Sequence, residues 1–117
     1  MLFRSMIELV ILNYLKTALS PTKVTNEIRQ GMPDSFVFIE KTGSRQNDHL
    51  FGSTFAVQSY GKSLLDAMTL NEAVKQAMPG AVALKEVTKV ELNSDYNYTD
   101  KATKKPRYQA VFDITHY

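Results

Sequence analysis

Four consecutive apolar side chains, Phe36, Val37, Phe38 and Ile39, open the stretch FVFIEKTG. Successive side chains of an extended segment point to opposite faces, so Phe36 and Phe38 share one face and Val37 and Ile39 the other. A strand that is apolar on both faces belongs inside a layered structure, covered from both sides. The rest of the chain must therefore supply a sheet and something to pack on it. With 117 residues there is room for one ordinary core and not for two. We read a single domain over residues 1–117.

The hydrophobic period on either side says what the layers are. Ahead of the strand, Leu2, Met6, Leu9, Val10, Asn13, Tyr14, Leu15 and Leu19 follow a helical period with one polar lapse, and Ser20-Pro21 ends the helix. TKVTNEI then alternates, with Val24 and Ile28 facing one way, and QGMPDS supplies a turn. After FVFIEKTG the polar run TGSRQNDH predicts a loop, and LFGSTFAVQSY alternates with Phe51, Phe55 and Val57 inward. Ser63 reads as an N-cap with Asp66 three residues on. The helix it opens carries Leu64, Ala67, Met68, Ala73, Val74, Ala77 and Met78, until Pro79-Gly80 stops it.

AVALKEVTKVELNS places Val82, Leu84, Val90 and Leu92 on one face, but Glu86 and Thr88 fall in the same phase. That conflict predicts a bulge near Val87. The final segment, Arg107 to Tyr117, puts Tyr108, Ala110, Phe112, Ile114 and His116 inward and displays Val111, Thr115 and Tyr117 on the other face. The predicted fold is thus α+β: an antiparallel sheet of about five strands with two helices packed on it, in the order α-β-β-β-α-β-β. The first three strands are expected to form a meander.

Charge and composition exclude several functions. Fourteen Lys and Arg against twelve Asp and Glu leave a net charge of +2, a small excess for a nucleic-acid binder. The absence of cysteine removes disulfides, thiolate metal sites and a Cys nucleophile. Glu8, Asn13 and Lys16 interrupt the N-terminal apolar run at helical spacing, leaving it too short for a signal core or a membrane span. We expect no membrane partner, and an intracellular protein that keeps its first helix.

No constellation of residues declares a chemistry. His49 lies in a polar loop and His116 near the C-terminus, without further ligands at metal spacing. KTGSR lacks the phosphate-loop pattern and joins two strands, so it reads as a hairpin loop. There is no Gly-x-Ser-x-Gly elbow, and Glu40 and Glu86 sit in the middle of strands. We assign no catalytic, cofactor-binding or metal residue, and expect no enzyme and no cofactor. One stretch stands out, running from Asn93 to Arg107, where Tyr96 and Tyr98 precede Lys101, Lys104, Lys105 and Arg107. Aromatics beside cations can stack bases and neutralise phosphates. Asp95 and Asp100 among them, and the length of the loop in so small a domain, favour a protein interface instead.

The strings FVFIEKTG, TFAVQSYGKSLLDA, VELNSDYNYTD and RYQAVFDITHY resemble tail completion, or tail terminator, proteins of long-tailed phages and prophages of Gram-positive bacteria. The similarity runs from the first helix to Tyr117 and agrees with the α+β order. It implies a structural virion protein that forms a ring, usually a hexamer, on the head-proximal end of the tail tube. Such a ring stops tube polymerisation and joins tail to head, with the tail tube protein and the head-tail connector protein as partners. It implies a location in the bacterial host cytoplasm during assembly and in the virion neck afterwards. Lys101, Lys104, Lys105, Arg107, Tyr96, Tyr98, Val111 and Tyr117 are the candidate partner contacts. A strand patterned to its last residue is expected where a neighbouring subunit pins it. The alternatives are another neck component, such as a head-completion or connector protein, and a small basic nucleic-acid-binding module.

Overall fold

The computed structural model describes residues 6–117. Its elements are α1 (Ile7–Ala18), β1 (Lys23–Thr25), β2 (Phe36–Asn47), β3 (Leu50–Tyr60), α2 (Leu64–Ala77), a 3-10 turn (Met78–Ala83), β4 (Val87–Asn97) and β5 (Arg107–His116). The strands form one sheet in the order β1-β2-β3-β5-β4. The α+β class, the five strands and the two helices are those the sequence predicts.

The first three strands are not a meander. β1 is three residues long and pairs in parallel with the start of β2, Val24 opposite Val37. Parallel neighbours cannot be joined by a tight turn, so residues 26–35 carry the chain back before β2 begins. Ile28, expected to share a face with Val24, lies on that return and is exposed. The run TGSRQNDH is mostly strand, because β2 and β3 pair from Phe36↔Tyr60 out to Asn47↔Leu50. Only Asp48 and His49 remain for the turn, with Asp48 at φ 56°. Asp tolerates that left-handed geometry, which suits a two-residue hairpin. Polarity misled there because this half of the hairpin is exposed along β2, and exposed strands need no apolar pattern.

Residues opposite one another across antiparallel strands share a face. One face of the sheet carries Val37, Ile39, Phe55, Val57, Ala110, Phe112 and Ile114, and both helices pack there in one apolar core. The buried stripe of α1 is Ile7, Ile11, Leu12 and Leu15, continued by Leu19. Leu15 and Leu19 are buried as expected, but the first turns are rotated from the expected stripe: Met6, Leu9 and Asn13 face water, Val10 and Tyr14 are half-buried, and Leu2 lies outside the described residues. A helix so rich in aliphatic residues satisfies the helical period along more than one line. The line without a polar lapse takes the core. In α2, Ser63 Oγ accepts from the Asp66 amide at 3.1 Å, the cap the sequence predicts. Beyond Ala77 the chain tightens into the 3-10 turn rather than stopping, so Val82 is exposed instead of lying in a strand.

The pairing of β4 with β5 slips between Val87 and Lys89 and again between Leu92 and Ser94. The first slip is the predicted bulge. It lets Val87 and Val90 both reach the core with two residues between them.

No helix covers the opposite face among the described residues, so β2 is not sheathed from both sides as its apolar run suggested. Phe36 is instead buried against Tyr60, the two rings stacked 4.4 Å apart at 9°, and Phe38 is half-buried. On this open face Asp113 joins three strands. Its Oδ1 accepts from Thr54 Oγ1 at 2.8 Å and its Oδ2 from Asn93 Nδ2 at 3.0 Å. Those bonds favour the carboxylate and hold its pKa below the usual value, Asn93 contributing most. A depressed pKa adds stability that is complete above the unfolded-state value and is lost as pH falls through the folded one. Asp113→Asn should therefore show a shallower loss of melting temperature between about pH 5 and pH 2 than the wild type. Parallel curves would show that the carboxylate contributes nothing there.

Candidate functional site

Because Phe36, Tyr60 and Arg107 are aligned in register, the start of β2, the end of β3 and the start of β5 lie at one end of the sheet. The connectors that leave these strands converge there. Residues 28–34, the Gly61-Lys62 corner and the loop between β4 and β5 enclose an open cleft of about 770 Å³. Phe36, Tyr60 and Arg107 are at its base, and Lys62, Lys104 and Lys105 line it.

The β4–β5 loop has a fixed shape. Asn97 Oδ1 accepts from the Thr99 amide at 2.9 Å and the Thr99 hydroxyl at 2.7 Å, and Thr99 Oγ1 accepts from the Arg107 amide at 3.3 Å. Asp100 closes the next turn. Its carboxylate accepts from the Ala102 amide at 2.9 Å and the Thr103 hydroxyl at 3.2 Å, while its carbonyl accepts from the Lys104 amide at 2.7 Å. The Ala102 bond, with Thr103 and the nearby Arg107 charge, holds the Asp100 carboxyl below its ordinary pKa. Lys104 sits at φ 58°, a left-handed position that a lysine seldom takes. The loop is thus ordered by its own polar side chains before any partner arrives.

Arg107 is the hinge between this loop and the sheet. Its Nε donates to the Tyr98 carbonyl at 2.7 Å and its Nη1 to the Tyr60 hydroxyl at 3.0 Å. The guanidinium lies 4.5 Å from the Tyr98 ring centre and 5.6 Å from that of Tyr60. From Tyr60 a directional chain crosses the open face. Tyr60 donates to Gln58 Oε1 (3.1 Å), Gln58 Nε2 to Gln109 Oε1 (3.0 Å), and Gln109 Nε2 to the Tyr96 hydroxyl (2.6 Å). Every bond has its partner, so these buried amides stiffen the face instead of weakening it.

The structure brings together part of the residue set expected from sequence. Lys104, Lys105 and Arg107 line the cleft, Lys101 is exposed outside it, and Tyr96 and Tyr98 stand beside it with their rings edge to face at 5.8 Å. Arg107 differs from the lysines: it is half-buried and holds structure. Val111 lies in mid-sheet on the open face, opposite Ala56 and Ser94. Tyr117 is at the other end, 69% exposed. The last strand does not need a neighbouring subunit to hold it, because the Tyr117 amide donates to the Glu86 carbonyl at 3.0 Å and His116 pairs with Val87 and Phe51. Lys62, Arg29 and Asp34 were missed; the signal was the antiparallel register, which gathers these connectors at one end.

His49 is at the tip of the long hairpin, exposed. His116 Nε2 lies 2.8 Å from Ser53 Oγ, and its ring stacks on Phe51 at 5.8 Å. A serine beside a histidine invites a nucleophilic reading. Ser53 is 1% exposed, however, and the pair ties β3 to β5 beneath the surface. Among the described residues no group of three or more His, Asp or Glu side chains could hold a metal ion. No helix among them is long and apolar enough to cross a membrane. No family model matches the chain, and no curated protein matches it.

Proposed function

We propose that the chain is a structural, non-enzymatic protein of the phage neck. It caps the head-proximal end of the tail tube as a homo-oligomeric ring, stops tube polymerisation and joins tail to head. It works first in the host cytoplasm and then in the virion. The observation that carries this reading is the one-sided sheet. Both helices occupy one face, and the other face and the β4 edge are left for neighbours. A ring of identical subunits needs two different surfaces that meet head to tail and close under rotation. The open face around Val111 and the edge carrying Leu92, Tyr96 and Tyr98 are two such surfaces on one chain. The ordered loop with Lys101, Lys104 and Lys105 is a third contact, directed at the tube or the connector.

A nucleic-acid module has weaker support. Single-strand binders offer free aromatic faces to bases. Here the two exposed aromatics beside the cleft, Tyr96 and Tyr98, meet edge to face and Arg107 already lies over Tyr98, while Phe36 and Tyr60 are stacked on each other. The test replaces the three exposed lysines and leaves Arg107 in place: Lys101→Ser, Lys104→Asn and Lys105→Ser. Asn is chosen at position 104 because it tolerates a left-handed φ. The variant should melt within about 2 °C of wild type, since substitutions at such exposed sites are usually near neutral. In a phage lacking its own terminator it should leave tails of abnormal length or tails without heads. Normal virions from the variant, with wild-type protein gripping single-stranded DNA at a steep salt slope, would overturn the proposal.

A further inference from the structure

We propose that the cleft at the Phe36–Tyr60–Arg107 end of the sheet receives an extended acidic segment of a protein partner. The charge and shape of the cleft carry this independently of the proposed neck role. Five cationic side chains and two carboxylates line the cleft, and with Arg29 paired to Glu27 just outside the lining a local excess of two remains, as large as that of the whole chain. One of those carboxylates, Asp100, is already engaged by its own loop. Lys62, Lys104 and Lys105 have no ion-pair partner among the described residues, and Arg107 is held by two uncharged oxygens. The three lysine charges are uncompensated and face one space, while Arg107 shares the field of Asp100.

The other side of the cleft is different. It comes from the return segment before β2, where Ile28, 51% exposed, is followed by Met32 and Pro33. The strand order sets this segment, which also carries Arg29 and Asp34, on the β2 side, with Lys62 beyond the end of β3 and Lys104 and Lys105 on the β5 side. Alternate side chains of an extended peptide point in opposite directions. A segment alternating carboxylates with apolar residues therefore meets both sides at once. The volume, about 770 Å³, lies within the range of binding clefts, about 300–1,000 Å³. Nucleic acid fits less well: Phe36 and Tyr60 are 6% and 8% exposed and present no free ring face for a base.

The test uses fluorescence anisotropy with three labelled probes: a short peptide of alternating Glu and Leu, its Gln-for-Glu analogue, and an oligothymidylate. The Glu peptide should bind about tenfold more tightly than the Gln analogue, the size expected of three exposed ion pairs together, and the gap should close as salt rises. Lys62→Ser, Lys104→Asn and Lys105→Ser combined should abolish the difference while the circular-dichroism melt stays that of wild type. Equal binding of the two peptides, unchanged binding by the variant, or tighter binding of the oligothymidylate would each overturn the proposal. The peptide titration and the phage assay are independent. Wild-type protein that binds the Glu peptide but cannot replace a tail terminator leaves the cleft standing and removes the neck reading.

Discussion

Phe112→Ala should unfold most of the protein at temperatures where the wild type is stable. Phe112 is 1% exposed and stands opposite Phe55 in the middle of the core face, with Leu92 on its other side. Truncation removes its packing and leaves a cavity between strands that are hydrogen-bonded on both sides and cannot collapse inward. Changes of this kind cost about 3–5 kcal/mol, against a total stability of about 5–15 kcal/mol for a domain of ordinary size. The melting temperature should fall by roughly 12–20 °C, at roughly 4 °C for each kcal/mol. Val111, its neighbour in sequence, points to the open face and is half-buried. Val111→Ala should cost under about 1.5 kcal/mol, by about 0.8 kcal/mol for each buried methylene. If Val111 joins subunits, its loss should appear in sedimentation as weaker association at an almost unchanged melting temperature. Equal thermal losses in the two variants would mean that the assignment of the strand's faces is wrong.

That contrast was readable in the sequence because Tyr108, Ala110, Phe112, Ile114 and His116 keep one phase through β5, with Val111 and the buried Gln109 the departures from a strict apolar-polar alternation. The same holds for Phe55 and Val57 in β3 and for the cap at Ser63. Each is a local pattern decided by burial of one face or by a short-range hydrogen bond. The errors fall where local pattern does not decide. α1 offers two apolar lines, and only contact with the sheet chooses between them. The outer half of the β2–β3 hairpin is held by backbone bonds between polar residues, which leave no apolar trace. The parallel pairing of β1 depends on the path of residues 26–35, a tertiary matter that a three-residue strand cannot announce.

The cleft was half legible for a related reason. Lys104, Lys105 and Arg107 are neighbours in sequence, so a cluster of charge could be seen there. Arg29 and Lys62 come from connectors far along the chain, and only the register of the sheet sets them beside it. The role of Arg107 was hidden as well. In sequence it is one of four cations, whereas in the fold its planar guanidinium is bonded to the Tyr98 carbonyl and the Tyr60 hydroxyl. A lysine could not reproduce that geometry. The chain from Tyr60 through Gln58 and Gln109 to Tyr96 crosses three strands and has no signature in any one of them.

Gly61→Ala should be the most damaging single change outside the apolar core. A methyl group at this corner would press on the amide of Ala67 and lie 2.8 Å from the Asp66 carbonyl carbon and Cβ. These atoms belong mainly to the first turn of α2, whose backbone cannot swing aside as a flexible side chain does. The clash must be relieved by lifting the helix start from the end of β3. Overpacking of this kind costs about 1–3 kcal/mol, and rigid backbone places the expected loss at the upper end, roughly 10 °C in melting temperature. The same corner donates from the Gly61 amide to the Pro106 carbonyl at 3.3 Å, joining the β3–α2 connector to the charged loop. Moving it should also weaken binding of the Glu peptide in the cleft, although no charge has been removed. Gly43→Ala is the control: nothing lies within 4 Å of the added methyl, so stability should stay within about 0.5 kcal/mol of wild type. Wild-type melting and peptide binding by Gly61→Ala would show that α2 does not bear on this corner. The shape of the cleft would then be set by the strand ends and the charged loop alone, without help from the seating of α2.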